Sequence, residues 1–156
     1  MILGLSIAAL ILAADQLSKY LVLNHVLEIT RIIPVTPFFN IVEAWNTGIS
    51  FSMFSNGGFW GMIALCIVAL VIVAALIWWL KGEKHAPSQV ALGMIIGGAL
   101  GNIIDRIRFG AVFDFLDVYW GDYHWPAFNI ADSFISIGAV LLIIYSFINS
   151  RKKENS

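Results

Sequence analysis

Asp15, Asn102, Asp105, Asp114 and Asp132 all stand at the same end of their apolar segments. A charged side chain at the bilayer centre costs about 2.5–3.5 kcal/mol on insertion scales. Several carboxylates gathered near one membrane face therefore point to a use. The central pair is Asp114 in Val112-Phe113-Asp114-Phe115 and Asp132 in Phe128-Asn129-Ile130-Ala131-Asp132. Two neighbouring carboxyls in apolar settings split their pKa values, so that one keeps a proton while the other activates water. That is the chemistry of an aspartyl hydrolase.

The elements that must position these residues are membrane spans. Of 156 residues, 60% are hydrophobic and 12% charged, with mean hydropathy +0.86. A soluble domain carries about 25% charged residues, so the composition excludes a soluble globule. A net charge of −1 gives no basic footprint for nucleic acid. The single cysteine, Cys66, lies in an apolar run, and His25, His85 and His124 show no ligand spacing, so neither a metal nor another cofactor is expected. Ile2 to Ala14 looks like the apolar part of a signal peptide. It lacks a basic leader and three more apolar segments follow, so it reads as a retained first span.

The spans run over about Ile2–Val26, Phe59–Leu80, Gln89–Phe109 and Ala127–Ile148, each long enough for a core of about 30 Å. Pro126 suits the start of the fourth helix. Glycines 93, 97, 98 and 101 give the third a small-residue face for packing. Lys81 and Lys84 after span two, with Arg151, Lys152 and Lys153 after span four, place those regions and both termini in the cytoplasm. The connections at residues 27–58 and 110–126 then face outward, and the polar residues converge near the outer face. Phe38 to Phe54, with its aromatic and β-branched residues, predicts a small β element there. The expectation is an all-α polytopic membrane protein. It has four transmembrane helices, a small β-rich extracytoplasmic element, one domain over residues 1–150 and a disordered cytoplasmic tail at 151–156.

Each candidate also has a bland reading. Asp15 and Lys19, four residues apart on one helix face, read as a structural ion pair. Asp105 beside Arg106, with Asn102 one turn back, allows the same. Arg106 could instead hold a substrate carbonyl or a lipid phosphate with its fork of donors. Asp132 could be a helix cap. Asp117 and Asp122 read as solvated loop charges, and Asn46-Thr47-Gly48 as a turn.

Taken in order, five blocks resemble the lipoprotein signal peptidase, or signal peptidase II, family over nearly the whole chain. They are Asp15-Gln16-Leu17-Ser18-Lys19, Asn46-Thr47-Gly48-Ile49-Ser50-Phe51, Gly101-Asn102-Ile103-Ile104-Asp105-Arg106, Val112-Phe113-Asp114-Phe115 and Phe128-Asn129-Ile130-Ala131-Asp132. The one departure is Ser50, where the family usually has alanine. The resemblance implies a bacterial inner-membrane aspartyl endopeptidase that removes signal peptides from prolipoproteins already carrying diacylglycerol. It implies Asp114 and Asp132 as the catalytic dyad. It places Asn102, Arg106 and Asn129 along the substrate site, where the antibiotic globomycin binds, and Asn46 and Gly48 in its loop. Asp15, Lys19 and Asp105 would support the site. Lipidated prolipoprotein and membrane lipid are the expected partners, and a monomer the expected state.

Two rivals follow from the same residues. A small transporter or proton relay would also bury acids, but it needs ionisable groups through the full depth, and spans two to four lack them in their inner halves. A presenilin-like or prepilin-type protease would carry a Gly-x-Gly-Asp block, which is absent.

Overall fold

The structure, a computed structural model, describes residues 1–48 and 58–154, with side chains described through residue 148. Four helices run in sequence: α1 Ile2–Leu21, α2 Gly58–Gly82, α3 Ala86–Phe109 and α4 Ile130–Glu154. A π-helical turn over Val22–Val26 prolongs α1. All four are long and apolar enough to cross a membrane. Between α1 and α2 lie strands β1 Ile32–Thr36 and β2 Phe39–Asn46. Between α3 and α4 lie β3 Val112–Trp120 and β4 Tyr123–His124.

Helix α3 packs against α1, α2 and α4. Its glycines do not form one face, as the sequence spacing suggested, but serve two neighbours. A Cβ on Gly97 would sit 2.5 Å from the Ala8 carbonyl oxygen in α1, and one on Gly98 2.5 Å from that of Ala131 in α4. Both approaches are closer than any side chain allows. Leu80, Leu92 and Ile96 fill the packed centre with Ala8, Val73 and Ile103. Helix α2 is apolar all round and leaves Ile67, Val68, Val71 and Ile72 exposed, the surface that lipid would cover.

The strands form one antiparallel sheet in the order β1-β2-β3-β4. The expected β element thus takes half its strands from residues 110–126, where the sequence alone suggests only a connection. The remainder of the Phe38–Phe54 expectation, with Ile49, Ser50 and Phe51 of the second block, lies outside the described residues. β2 carries one extra residue against β3. Ile41 pairs with Leu116 but Ala44 with Asp114, so three steps on β2 match two on β3. Such a bulge exchanges the faces of the residues beyond it. Without it, Asn40 and Asn46 would point the same way; with it, they meet acids on opposite faces of β3.

Two expected boundaries move. α4 begins at Ile130, not at Pro126, because Phe128 is held in a bridge to Leu116 and Asn129 caps the helix. The α4 backbone also continues through Glu154, into the tail expected to be disordered.

Candidate active site

The start of α4 sets the geometry. Asn129 Oδ1 accepts the backbone N–H of Asp132 at 2.9 Å, and Asp132 Oδ2 accepts the backbone N–H of Asn129 at 3.3 Å. This is the reciprocal arrangement of a capping box, with Asp in the place of Glu. The bland reading of Asp132 as a cap is therefore correct as far as it goes. The cap occupies one oxygen, and the other accepts Asn102 Nδ2 at 2.8 Å.

Asn129 also reaches the strand that carries the second acid. Its Nδ2 lies 2.7 Å from Asp114 Oδ1 and 3.1 Å from Asn102 Oδ1. Asn46 Nδ2 donates to the other Asp114 oxygen at 3.1 Å. The β2 bulge brings Asn46 to this face, and the Phe128–Leu116 bridge holds β3 beside the entry to α4. Asp114 and Asp132 are thus brought together from a strand and a helix, joined through Asn129.

Beneath them Lys19 ties α1 to α3. Its ammonium lies 2.8 Å from Asp15 Oδ2, 2.8 Å from Asp105 Oδ2 and 3.2 Å from Asn102 Oδ1. The Asp15–Lys19 pair agrees with the helix spacing. Asp105, however, pairs with Lys19 and not with its neighbour Arg106. Asp15 further accepts the Ala131 N–H at 2.9 Å, and Asp105 that of Phe113 at 3.2 Å. The carboxylates thereby anchor α4 and β3 to the helix core. Among the described residues no buried side-chain polar atom lacks a partner, as a polar network in an apolar setting requires.

Arg106 stands apart. Among the described residues its guanidinium reaches only the Asn102 and Gly48 carbonyl oxygens, at 3.5 and 3.4 Å, both long for hydrogen bonds. Gly48 N–H in turn donates to Asn46 Oδ1 at 3.1 Å. Arg106, Gly48, Asn46 and Asp132 line a cleft of about 660 Å³, walled by Tyr123 and Trp125 and extended along α4 by Ser133 and Ser136. This volume lies within the range of ligand sites.

Asp114 differs electrostatically from an ordinary acid. Burial, and then the neighbouring charge of Asp132, push its carboxyl up to about 7 from 3.8, against the opposing pull of Asn46, Asn129 and Lys19. It sits 2% exposed. Such a group holds a proton near neutral pH and can deliver it.

One expectation fails. Asp117 is not a solvated loop charge but a buried strand residue, bound by Asn40 Nδ2 at 2.8 Å and by His124 Nδ1 at 2.8 Å. It points away from Asp114, since the two lie an odd number of residues apart on one strand. Asp122 is exposed, as expected. Gln16, to which spacing alone assigns no role, also joins the network. Its Nε2 donates to Asp105 Oδ1 at 2.9 Å and to the Gly101 carbonyl at 3.3 Å. An amide next to Asp15 inside a span was the available signal.

Known proteins resemble this chain in sequence and in fold. The model of signal peptidase (SPase) II matches residues 7–148. The lipoprotein signal peptidase of Serratia marcescens is 42% identical over 152 residues, covering 97% of this chain and 89% of that one. The lipoprotein signal peptidase of Alteromonas mediterranea is 46% identical over 150 residues, 95% of this chain and 82% of that one. A bacterial membrane enzyme solved in meso at 2.3 Å matches with TM-score 0.83 and 33% identity, over 96% of this chain and 90% of that chain. With matches of this extent in sequence and in fold, the chain belongs to the signal peptidase II family.

Proposed function

We propose that the chain is an aspartyl endopeptidase that removes signal peptides from diacylglyceryl-modified prolipoproteins, with Asp114 and Asp132 as its catalytic pair. The observation that carries this reading is the linkage of the two carboxyls through Asn129 at a cleft of peptide-binding size. Family membership supports the substrate, since the curated relatives are lipoprotein signal peptidases.

Asp114, pushed up to about 7, holds the proton of the resting pair. Asp132 takes a proton from a water between them, and the water oxygen bonds to the scissile carbonyl carbon. Asp114 gives its proton to the carbonyl oxygen as the tetrahedral intermediate forms. On collapse the C–N bond breaks, the departing nitrogen receives the proton that Asp132 had taken, and one hydroxyl proton of the intermediate returns to Asp114 as the new carboxyl group forms. Asn46, Asn102 and Asn129 hold the carboxyls in register through each exchange. Arg106 and Gly48 bind the substrate backbone beside the scissile bond. Asp15, Lys19 and Asp105 keep the platform rigid.

The excess of lysine and arginine at Lys81, Lys84 and Arg151–Lys153 supports cytoplasmic termini. The sheet and the cleft then lie at the outer face of a bacterial inner membrane, where an acyl-anchored substrate arrives within the lipid plane. Membrane lipid surrounds the helices, and a single chain carries every group named here.

The test is direct. Purified protein in detergent, incubated with a diacylglyceryl-modified prolipoprotein, should yield the shortened product, which globomycin should suppress. The Asp114→Asn protein should yield none. A wild-type chain that leaves the lipidated precursor intact would overturn the assignment.

A further inference from the structure

β4 is two residues long and closes on β3 through a two-residue turn, with Gly121 at φ +59°. A hairpin this short has too few ladder bonds to hold itself in place. A backbone bond from Trp125 N–H to the Val118 carbonyl oxygen, 2.8 Å, extends the ladder by one step, and the side-chain hold comes from the back of β3. There the Asp117 carboxylate accepts His124 Nδ1 at 2.8 and 3.0 Å and Asn40 Nδ2 at 2.8 Å. An ionised carboxylate only accepts, so His124 carries a proton on Nδ1. The imidazole also stacks on Tyr119, with centroids 4.9 Å apart and planes at 14°.

Strand alternation carries this grip through to the site. Asp114 points to one side of β3, and Asp117 and Tyr119 to the other. Tyr119 pairs with His124, and Trp120 with Tyr123. His124 therefore shares the face of Asp117, while Tyr123 and Trp125 share the face of Asp114. Both aromatic residues line the cleft that also contains Asp132 and Arg106. The segment leading to α4 is tied at its other end by Phe128 to Leu116. His124 is the corresponding anchor at the near end.

We infer that His124, gripped by the Asp117 carboxylate that Asn40 holds in place, is a positioning residue that sets Tyr123 and Trp125 as the aromatic wall against which the substrate segment beside the scissile bond packs. The inference rests on the peptidase reading, with His124 acting on binding and not on the chemical step.

Two substitutions separate the grip from the ring. His124→Phe keeps the stack on Tyr119 and removes the donor, while His124→Asn restores a donor at the δ position. His124→Phe should raise KM on the order of tenfold with kcat within about twofold, and His124→Asn should return KM to within about threefold of wild type. Trp125→Ala should raise KM similarly, and adding His124→Phe to it should cost nothing more, because both act through one wall. Hydrogen exchange over residues 118–127 should quicken in His124→Phe while α3 stays unchanged. An unchanged KM, a matched fall in kcat, or unaltered exchange at 118–127 overturns the inference. Should the wild-type chain cut nothing, the peptidase reading fails by itself. Exchange then decides the grip: quickening confined to 118–127 supports it, and no change overturns it.

Discussion

Lys19 Nζ lies 3.2 Å from Asn102 Oδ1, and this contact, together with the Asn129 amide on the same oxygen, decides how Asn102 meets Asp132. An ammonium has no acceptor, so it claims the amide oxygen and turns the amide nitrogen toward Asp132, 2.8 Å away. Asn102 can therefore only donate to that carboxyl. A buried cation on α1 thus orients a group on α3 that serves an acid on α4.

Removing the cation should have two separable effects. Lys19→Met leaves Asp15 and Asp105 buried without their shared counter-charge, a loss of about 3–5 kcal/mol. Thermal unfolding in detergent should show it as a lowered midpoint, with cleavage abolished. Adding Asp15→Asn and Asp105→Asn should recover much of the stability but not the cleavage, since Asn102 Oδ1 then keeps only the Asn129 amide to orient it. A Lys19→Met protein with wild-type stability and turnover would show that the ion cluster does neither job.

Asp114→Asn and Asp132→Asn each retain size and hydrogen-bonding capacity while removing the titrating carboxyl. Either should abolish cleavage, and the double variant should be little worse than the single ones, as expected of groups acting as one unit. Both should insert, fold and bind lipidated precursor. Asp122→Asn, on an exposed turn residue, should remain active and is the proper control; Asp117 is not, because it is buried against Asn40 and His124. Near-wild-type turnover in either dyad variant would reduce that residue to a structural role.

The raised Asp114 carboxyl gives a pH signature with a defined sign. Between about 3.8 and 7 the folded chain holds a proton that the unfolded chain has released, so stability falls as pH rises across that window. Below it both states are protonated, and above it both are ionised, so the slope vanishes at either side. kcat/KM should decline on its alkaline limb near pH 7 as Asp114 loses the proton it must donate. Asp114→Asn should flatten the stability slope. Asp132→Asn, which removes the neighbouring charge, should shift the window toward lower pH. Unfolding titrations from pH 4 to 9 would expose a slope of the opposite sign.

Cleavage should survive EDTA and exhaustive dialysis, because the dyad's oxygens are engaged by amide donors and the chemistry assigned to them is proton transfer. Loss of activity on chelation, restored by zinc, would recast both aspartates as ligands.

A reporter fused after Ser156 should be cytoplasmic, and one inserted near Asp122 external. An external carboxyl-terminal reporter would put the cleft on the wrong side for a substrate whose acyl group faces outward.

Helices and ordered blocks were legible because apolar length and local spacing are properties of contiguous residues. Asp15–Lys19 could be read from four positions on one helix. Asp105–Lys19 could not, since its partner lies 86 positions away in sequence while Arg106 stands adjacent and misleads. β3 was hidden for a related reason. Val112, Phe113, Asp114 and Phe115 are all buried, so the alternation that betrays a half-exposed strand is missing. Asp117 looked solvated because the groups that satisfy it, Asn40 and His124, arrive only when two connections meet in one sheet. The joining of Asp114 to Asp132 depends on Asn129 facing both ways, which no spacing encodes.

The extra residue in β2 makes this strand sensitive to length in a way that substitutions would not reveal. Every side chain near Val42 and Glu43 could be changed while the ladder kept its pairing. Deleting one residue there would impose a choice. The outer half of β2 could stay in step, so that Asn40 still meets Asp117, or the inner half could, so that Asn46 still meets Asp114, but not both. One asparagine would have to turn its amide to the wrong side of the sheet, and a buried acid would lose its donor. A single-codon deletion distant in sequence from either aspartate would therefore act as an active-site mutation or a hairpin mutation, according to which half of the strand gave way.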